Sequence, residues 1–193
     1  GGAALSALRE DELLRACSYV DAILLGEGEQ GALALCSDRP FTEVPGLVYR
    51  STAGIRRNKR CGTVSLNGLP PPDFSCLPLG RYFNPLPVLP VLFSRGCRWR
   101  KCRFCAHNAS FAGYRRKSAE GFVDELEGYQ RVHGTSHFYL ADQYVEAADL
   151  DRVADEILRR RLEVFFHVMG RPTEEYTPDR LNKLFRAGCR WIC

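Results

Sequence analysis

The sequence has no uninterrupted apolar run of about 18 residues, so no segment reads as a membrane-spanning helix. It also lacks the basic, apolar and small-residue pattern of an export signal. A strong excess of one charge is missing too. Lys and Arg number 27 against 23 Asp and Glu, mixed along most of the chain, for a formal net charge of +4. So mild a balance by itself argues neither for nor against nucleic acid, which is not among the expected partners. What is there is a chain of 193 residues, 45% hydrophobic, long enough for one large domain or parts of two.

Nine cysteines are many and odd in number. In an exported chain they would imply disulfides with one thiol left over. Without an export signal a reducing cytoplasm is the expected location, and clustered cysteines there read as metal ligands. Cys17, Cys36, Cys61, Cys76, Cys189 and Cys193 are scattered and read as small packing residues. Cys97, Cys102 and Cys105 are not scattered. They share the run SRGCRWRKCRFCA, with four residues in the first gap and two in the second.

Along the chain, Leu5, Leu8, Leu13 and Leu14 predict a helix over about 5–16. Tyr19 to Leu25 reads as a strand, stopped by Gly26-Glu-Gly-Glu29, and a second helix follows near 29–37. Helix, strand, glycine turn and helix make an α/β unit like the last part of a doubly wound domain. Residues 38–87 carry eight prolines and read as a linker. Within it, Gly46 to Arg50 predicts a short hairpin strand with its turn at Ser51 to Gly54.

From Val88 a rhythm begins. Strands are expected at 88–93, 136–140, 163–168 and from Arg190. Between them lie helices signalled by Ser118 as N-cap and Gly134 as stop, by Asp149 as N-cap, and by Thr177-Pro178 with Gly188 as stop. Phe122, Val123, Leu126 and Tyr129 form the apolar face of the first helix, and Leu150, Val153, Ile157 and Leu158 that of the second. Leu181, Leu184 and Phe185 are expected to face inward from the third. The order β-α-β-α-β-α-β implies parallel strands with right-handed crossovers, the start of a (βα) barrel. The expected fold is therefore α/β: the end of a doubly wound domain over 1–37, a linker over 38–87, and the first half of a partial barrel over 88–193. Residue 1 is Gly rather than Met, and Cys193 ends a strand-like run, so the expectation is an internal piece of a longer protein.

In parallel α/β folds, active sites form on the loops at the carboxyl ends of the strands. The three cysteines follow the first barrel strand, Asp142 follows the second, and Gly170-Arg171 follows the third. Structural zinc usually takes four ligands, often as two close pairs, and here no second pair accompanies Cys102 and Cys105. His107 as a fourth ligand sits tightly beside Cys105. Three thiolates on a loop flanked by Arg95, Arg98, Arg100, Lys101 and Arg103 suit a cubic iron–sulfur cluster with one iron left open. A zinc-binding module and plain packing stand as the alternatives. His137, His167 and Tyr139 lie in strands and read as core or wall residues.

The cysteine spacing after a strand, with an aromatic residue before the last cysteine, resembles the radical S-adenosylmethionine superfamily. Its commonest first gap is three residues, and the four-residue gap here resembles a variant among cobalamin-associated members. YVDAILLGEGE (19–29), GLVYR (46–50), LPPPDF (69–74), Arg81-Tyr-Phe83, SRGC (94–97), YRRKSAE (114–120) and AGCRWI (187–192) follow in the order seen in enzymes with a cobalamin domain ahead of the barrel. Members that mature peptide natural products look especially similar.

The resemblance implies that Cys97, Cys102 and Cys105 bind a [4Fe–4S] cluster whose open iron takes S-adenosylmethionine. It implies that Phe104 lies against the adenine of that cofactor. Asp142 and Arg171 read either as contacts to S-adenosylmethionine or as solvated charges just past their strands, and Gly26 and Gly28 either as neighbours of cobalamin or as a plain turn. The expected activity is reductive cleavage of S-adenosylmethionine to a 5′-deoxyadenosyl radical, used for cobalamin-dependent C-methylation of a small molecule or peptide. A flavodoxin or ferredoxin is the expected electron donor. A cyclase, or an RNA methylthiotransferase without methylcobalamin, is the alternative within the superfamily.

Overall fold

The computed structural model describes residues 9–60, 62–105, 107, 111 and 113–193. The chain divides into two compact units, Gly1–Val64 with Arg98–Gly113, and Ser65–Cys97 with Tyr114–Cys193.

In the first unit α1 (Glu10–Ala16) precedes β1 (Ala22–Leu24), and α2 (Glu29–Cys36) follows it. The hairpin β2 (Leu47–Ser51) and β3 (Gly54–Arg57) pairs antiparallel with β1 to give the order β1-β2-β3. Side chains alternate across this small sheet, as the two-residue period of a strand requires. Ile23 and Val48 pack with Leu14 on one face, while Leu47 and Tyr49 pack with Ala34 and Val44 on the other. Gly31 lets α2 approach β1 closely: a Cβ there would lie 2.5 Å from a methyl of Leu24 and 2.9 Å from the Pro45 carbonyl.

This arrangement changes two expectations. The strand expected over 19–25 is confined to Ala22–Leu24, and its described neighbour is the hairpin. The stretch expected as one linker is split: residues up to Val64 go with the first unit because the hairpin completes its sheet. Residues from Ser65 go with the second unit, where Phe74 is buried and the Tyr129 hydroxyl donates to the Pro72 carbonyl at 3.1 Å.

The second unit carries the expected rhythm. β4 (Val88–Val91), β7 (His137–Leu140), β8 (Phe165–Val168) and β9 (Cys189–Ile192) form a four-stranded sheet in chain order, every pair parallel. A two-residue antiparallel pair, β5 (Ser94–Arg95) with β6 (Arg115–Arg116), lies between β4 and the first crossover helix. The crossovers contain α3 (Ala119–His133), α4 (Ala147–Arg160) and α5 (Pro178–Arg186).

Leu89, Val91, Phe138, Leu140, Phe166 and Val168 point to one face and bury with Phe122, Val123, Leu126, Leu150, Val153, Ile157 and Leu184 from the helices. Each such aliphatic side chain contributes about 1.5–3 kcal/mol by leaving water. Pro90, His137, Tyr139, Phe165, His167 and Trp191 take the other face, which stays half-buried or exposed among the described residues.

The helix ends show which local signals hold. The Ser118 hydroxyl accepts the Gly121 N–H at 3.1 Å, Gly134 ends α3 with φ +64°, and the Thr177 hydroxyl accepts the Arg180 N–H at 3.4 Å before Pro178. Asp149 does not cap α4. That position belongs to Glu146, and Asp149 sits inside the first turn, its carboxylate drawn to Tyr114, Arg116 and Arg152. Leu181 and Phe185 do not face inward either. They are 44% and 60% exposed, and only Leu184 of the three is buried, because α5 is short and meets the core along one narrow line. The Phe185 ring instead stacks with the Arg190 guanidinium 4.5 Å from its centroid.

Candidate functional site

The carboxyl edge of the parallel sheet is where the chain leaves regular pairing. β4 ends at Val91, whose carbonyl accepts the Ala141 N–H at 2.8 Å. Beyond that bond β4 and β7 diverge, and the amides of Phe93 and Ser94 lose their strand partner. Asp142, the second residue past β7, supplies the acceptors. Its Oδ2 accepts the Phe93 N–H at 3.1 Å, and its Oδ1 accepts both the Ser94 amide and the Ser94 hydroxyl, the latter at 2.5 Å. Asp142 is 2% exposed. Burial pushes its carboxyl up to about 6, against the opposing pull of the Ser94 hydroxyl, the two amides and Lys117.

From Ser94 the chain runs through Gly96, at φ +85°, to Cys97. Cys97 closes its segment of the second unit, and Cys102 and Cys105 lie in the first. All three are half-buried free thiols. The Cys105 N–H donates to the Cys102 carbonyl at 3.2 Å, a turn that spans the two-residue gap. Arg100 adopts φ +46°, and the Lys101 ammonium lies 4.8 Å from the centre of the Trp99 ring.

Phe104 is 91% exposed, its ring available to a ligand. His107 stacks on Phe111 with centroids 6.3 Å apart, and its buried Nδ1 has no hydrogen-bond partner among the described residues. Among the described residues no three His, Cys, Asp or Glu side chains are gathered into a metal-binding group. The donors themselves suit an iron–sulfur cluster: three thiols within nine residues, outside any disulfide and reachable from solvent.

Arg171 follows β8 after Gly170 and lines a cavity of about 650 Å³ with Pro172, Thr173, Tyr176 and Ile192. Gly170 lets the chain pack closely there: a Cβ would lie 2.5 Å from a methyl of Ile192 and 3.0 Å from the Tyr176 hydroxyl, so those side chains would have to shift. The Tyr176 hydroxyl is buried with no hydrogen-bond partner among the described residues, and burial raises its pKa. Gly26 follows β1 at φ +77° with open space around it. Gly28 also borders open space, but it has the φ of −84° that any residue adopts, as the residue preceding α2.

His137 and His167 are wall residues of the open sheet face, as expected. Their rings lie 5.1 Å from Phe165 and 4.9 Å from Tyr139 respectively, centre to centre. With Val88, Arg190 and Trp191 they border a cavity of about 430 Å³. Sequence reasoning missed Ser94 and Tyr176. The position of Ser94 between the strand and Gly96 was visible, but its partner 48 residues away was not.

No protein-family model matches the chain. Over 198 aligned residues it is 27% identical to the anaerobic magnesium-protoporphyrin IX monomethyl ester cyclase of Rubrivivax gelatinosus, covering 91% of this chain and 34% of the cyclase. The chain thus spans about a third of the length of that relative. The whole chain aligns in three dimensions with the radical S-adenosylmethionine methyltransferase TsrM of Kitasatospora setae, solved with cobalamin and a [4Fe–4S] cluster bound. The TM-score is 0.70 at 20% identity, over 40% of that chain. It aligns likewise with the cobalamin-dependent S-adenosylmethionine radical enzyme OxsB, solved with aqua-cobalamin and S-adenosylmethionine bound. There the TM-score is 0.77 at 21% identity, over 30% of that chain. At these identities the structures establish a shared α/β fold.

Proposed function

We propose that this chain, which is similar over its whole length to part of the cobalamin-dependent radical S-adenosylmethionine enzymes, carries the cluster loop and the first barrel strands of such an enzyme. The observation that carries this reading is the exit of the Cys97 loop from the carboxyl end of the first strand of a parallel sheet, held at its root by Asp142 from the second. Cys97, Cys102 and Cys105 would supply three thiolates to a [4Fe–4S] cluster. A [4Fe–4S] cluster held there would supply, with one electron from a donor such as a flavodoxin or ferredoxin, the reductive cleavage of S-adenosylmethionine to methionine and a 5′-deoxyadenosyl radical.

The remaining residues bind and orient. The exposed Phe104 ring offers a stacking face for adenine. Arg171 places a guanidinium beside a cavity large enough for the methionine end. Asp142 has both oxygens committed inside the protein, so it acts on the cofactor through the loop it holds. The open turn at Gly26 and Gly28 leaves room for a cobalamin tail. The reaction we favour is cobalamin-dependent methylation of carbon on a small molecule or peptide, supported by the likeness to TsrM. A second reading, cyclisation, is favoured by the cyclase relative that aligns with 91% of this chain.

Anaerobic reconstitution of the chain with iron and sulfide tests the proposal. The expected product is brown, with [4Fe–4S] absorbance and a reduced-state paramagnetic signal, both lost in Cys102→Ala. Stoichiometric zinc with no iron signal would instead support the zinc-binding module.

A further inference from the structure

We propose that Gln143 is a positioning residue for Cys97. This deepens the cluster reading and rests on it. The Gly96 N–H, the last amide before Cys97, donates to Gln143 Oε1 at 3.0 Å. Gln143 follows Asp142, which already holds the amides of Phe93 and Ser94. Two consecutive side chains at the end of β7 therefore take three of the five amides, Leu92 to Gly96, that lead from β4 to the first cysteine.

The grip is needed because nothing regular holds this stretch on that side. The parallel ladder between β4 and β7 ends at Val91–Leu140, and the antiparallel pair of β5 with β6 covers only Ser94 and Arg95. Gly96 then turns at φ +85°, in a backbone region that glycine enters without steric cost. Holding the Arg95–Gly96 peptide plane fixes the base from which Gly96 turns the chain toward Cys97. Asp142 anchors the root of the loop and Gln143 sets its last hinge.

The test compares Gln143→Met, which keeps the length and loses the acceptor, with Gln143→Glu, which keeps an oxygen at the same reach. The metal-free chain is read first by hydrogen exchange at the Gly96 amide. Exchange should speed by about fivefold to tenfold in Gln143→Met, the loss of one ordinary hydrogen bond, and stay near wild type in Gln143→Glu. The same chains are then reconstituted with iron and sulfide. Gln143→Met should release iron to a chelator about fivefold to tenfold faster and show shifted g-values in the reduced state, with Gln143→Glu restoring both.

A wild-type cluster together with a Gln143→Met cluster of unchanged g-values and release rate would overturn the positioning role alone. A wild-type chain that takes up no iron would overturn the cluster reading, and the positioning role with it.

Discussion

The Arg116 guanidinium donates to Asp149 Oδ1 at 2.6 Å, joining the end of β6 to the first turn of α4. Tyr114 and Arg152 reach the same carboxylate, at 2.8 Å and 2.5 Å, and Asp149 is buried beneath them. One side chain thus ties the strand that returns from the cysteine loop to the second crossover helix. Asp149→Ala should cost about 2–3 kcal/mol, because a buried network loses its shared acceptor. Arg116→Ala should cost less, since Arg152 and Tyr114 still satisfy the carboxylate. Urea titration of the full chain measures both, and equal losses would contradict the network.

Asp142 makes stability depend on pH in a defined direction. Its folded value of about 6 lies above the ordinary carboxyl value of 3.8, with burial as the largest cause. Between those values the folded chain binds more protons than the unfolded chain, so stability from this group falls as pH rises. The loss is about 3 kcal/mol on going from below pH 4 to above pH 6, at about 1.4 kcal/mol per pKa unit. The difference in stability between wild type and Asp142→Asn should therefore shift against wild type as pH rises from about 4.5 to about 7. The opposite slope, or an Asp142 carbon resonance that titrates near 4, would refute the assignment.

Two glycines in the second unit should respond in opposite senses. Gly188 has φ +101°, and a Cβ there would lie 1.8 Å from the Val164 carbonyl oxygen. Gly188→Ala must move the start of β9 and should cost upwards of about 2 kcal/mol. Gly128 lies within α3, and a Cβ would meet nothing within 4 Å. Gly128→Ala should stabilise by about 0.5–1 kcal/mol. Thermal melts of the two variants check both signs.

Much of the second unit was legible because its signals are local. Ser118, Gly134 and Thr177-Pro178 act through residues three or four positions away, and each works as the sequence indicates. Asp149 carried the same kind of signal, but cationic side chains from another segment claimed its carboxylate. Phe185 was misplaced because helical spacing gives the direction of a side chain and not the length of helix that the core covers. The first unit was harder to read. Nothing local says that the hairpin at 47–57 pairs with β1, so residues 38–64 read as linker although they go with the first unit. The cysteines were legible as a spacing. The Asp142 and Ser94 contact at the root of their loop was not, because it joins residues 48 apart.

The central claim is that Cys97, Cys102 and Cys105 hold a cluster with one iron open to S-adenosylmethionine. Mössbauer spectroscopy of the chain reconstituted with ⁵⁷Fe, before and after addition of S-adenosylmethionine, tests it most directly. The account predicts a [4Fe–4S] spectrum in which one iron site separates from the other three when the cofactor is added. Four iron sites indifferent to the cofactor, or a chain that binds zinc and assembles no cluster, would contradict it.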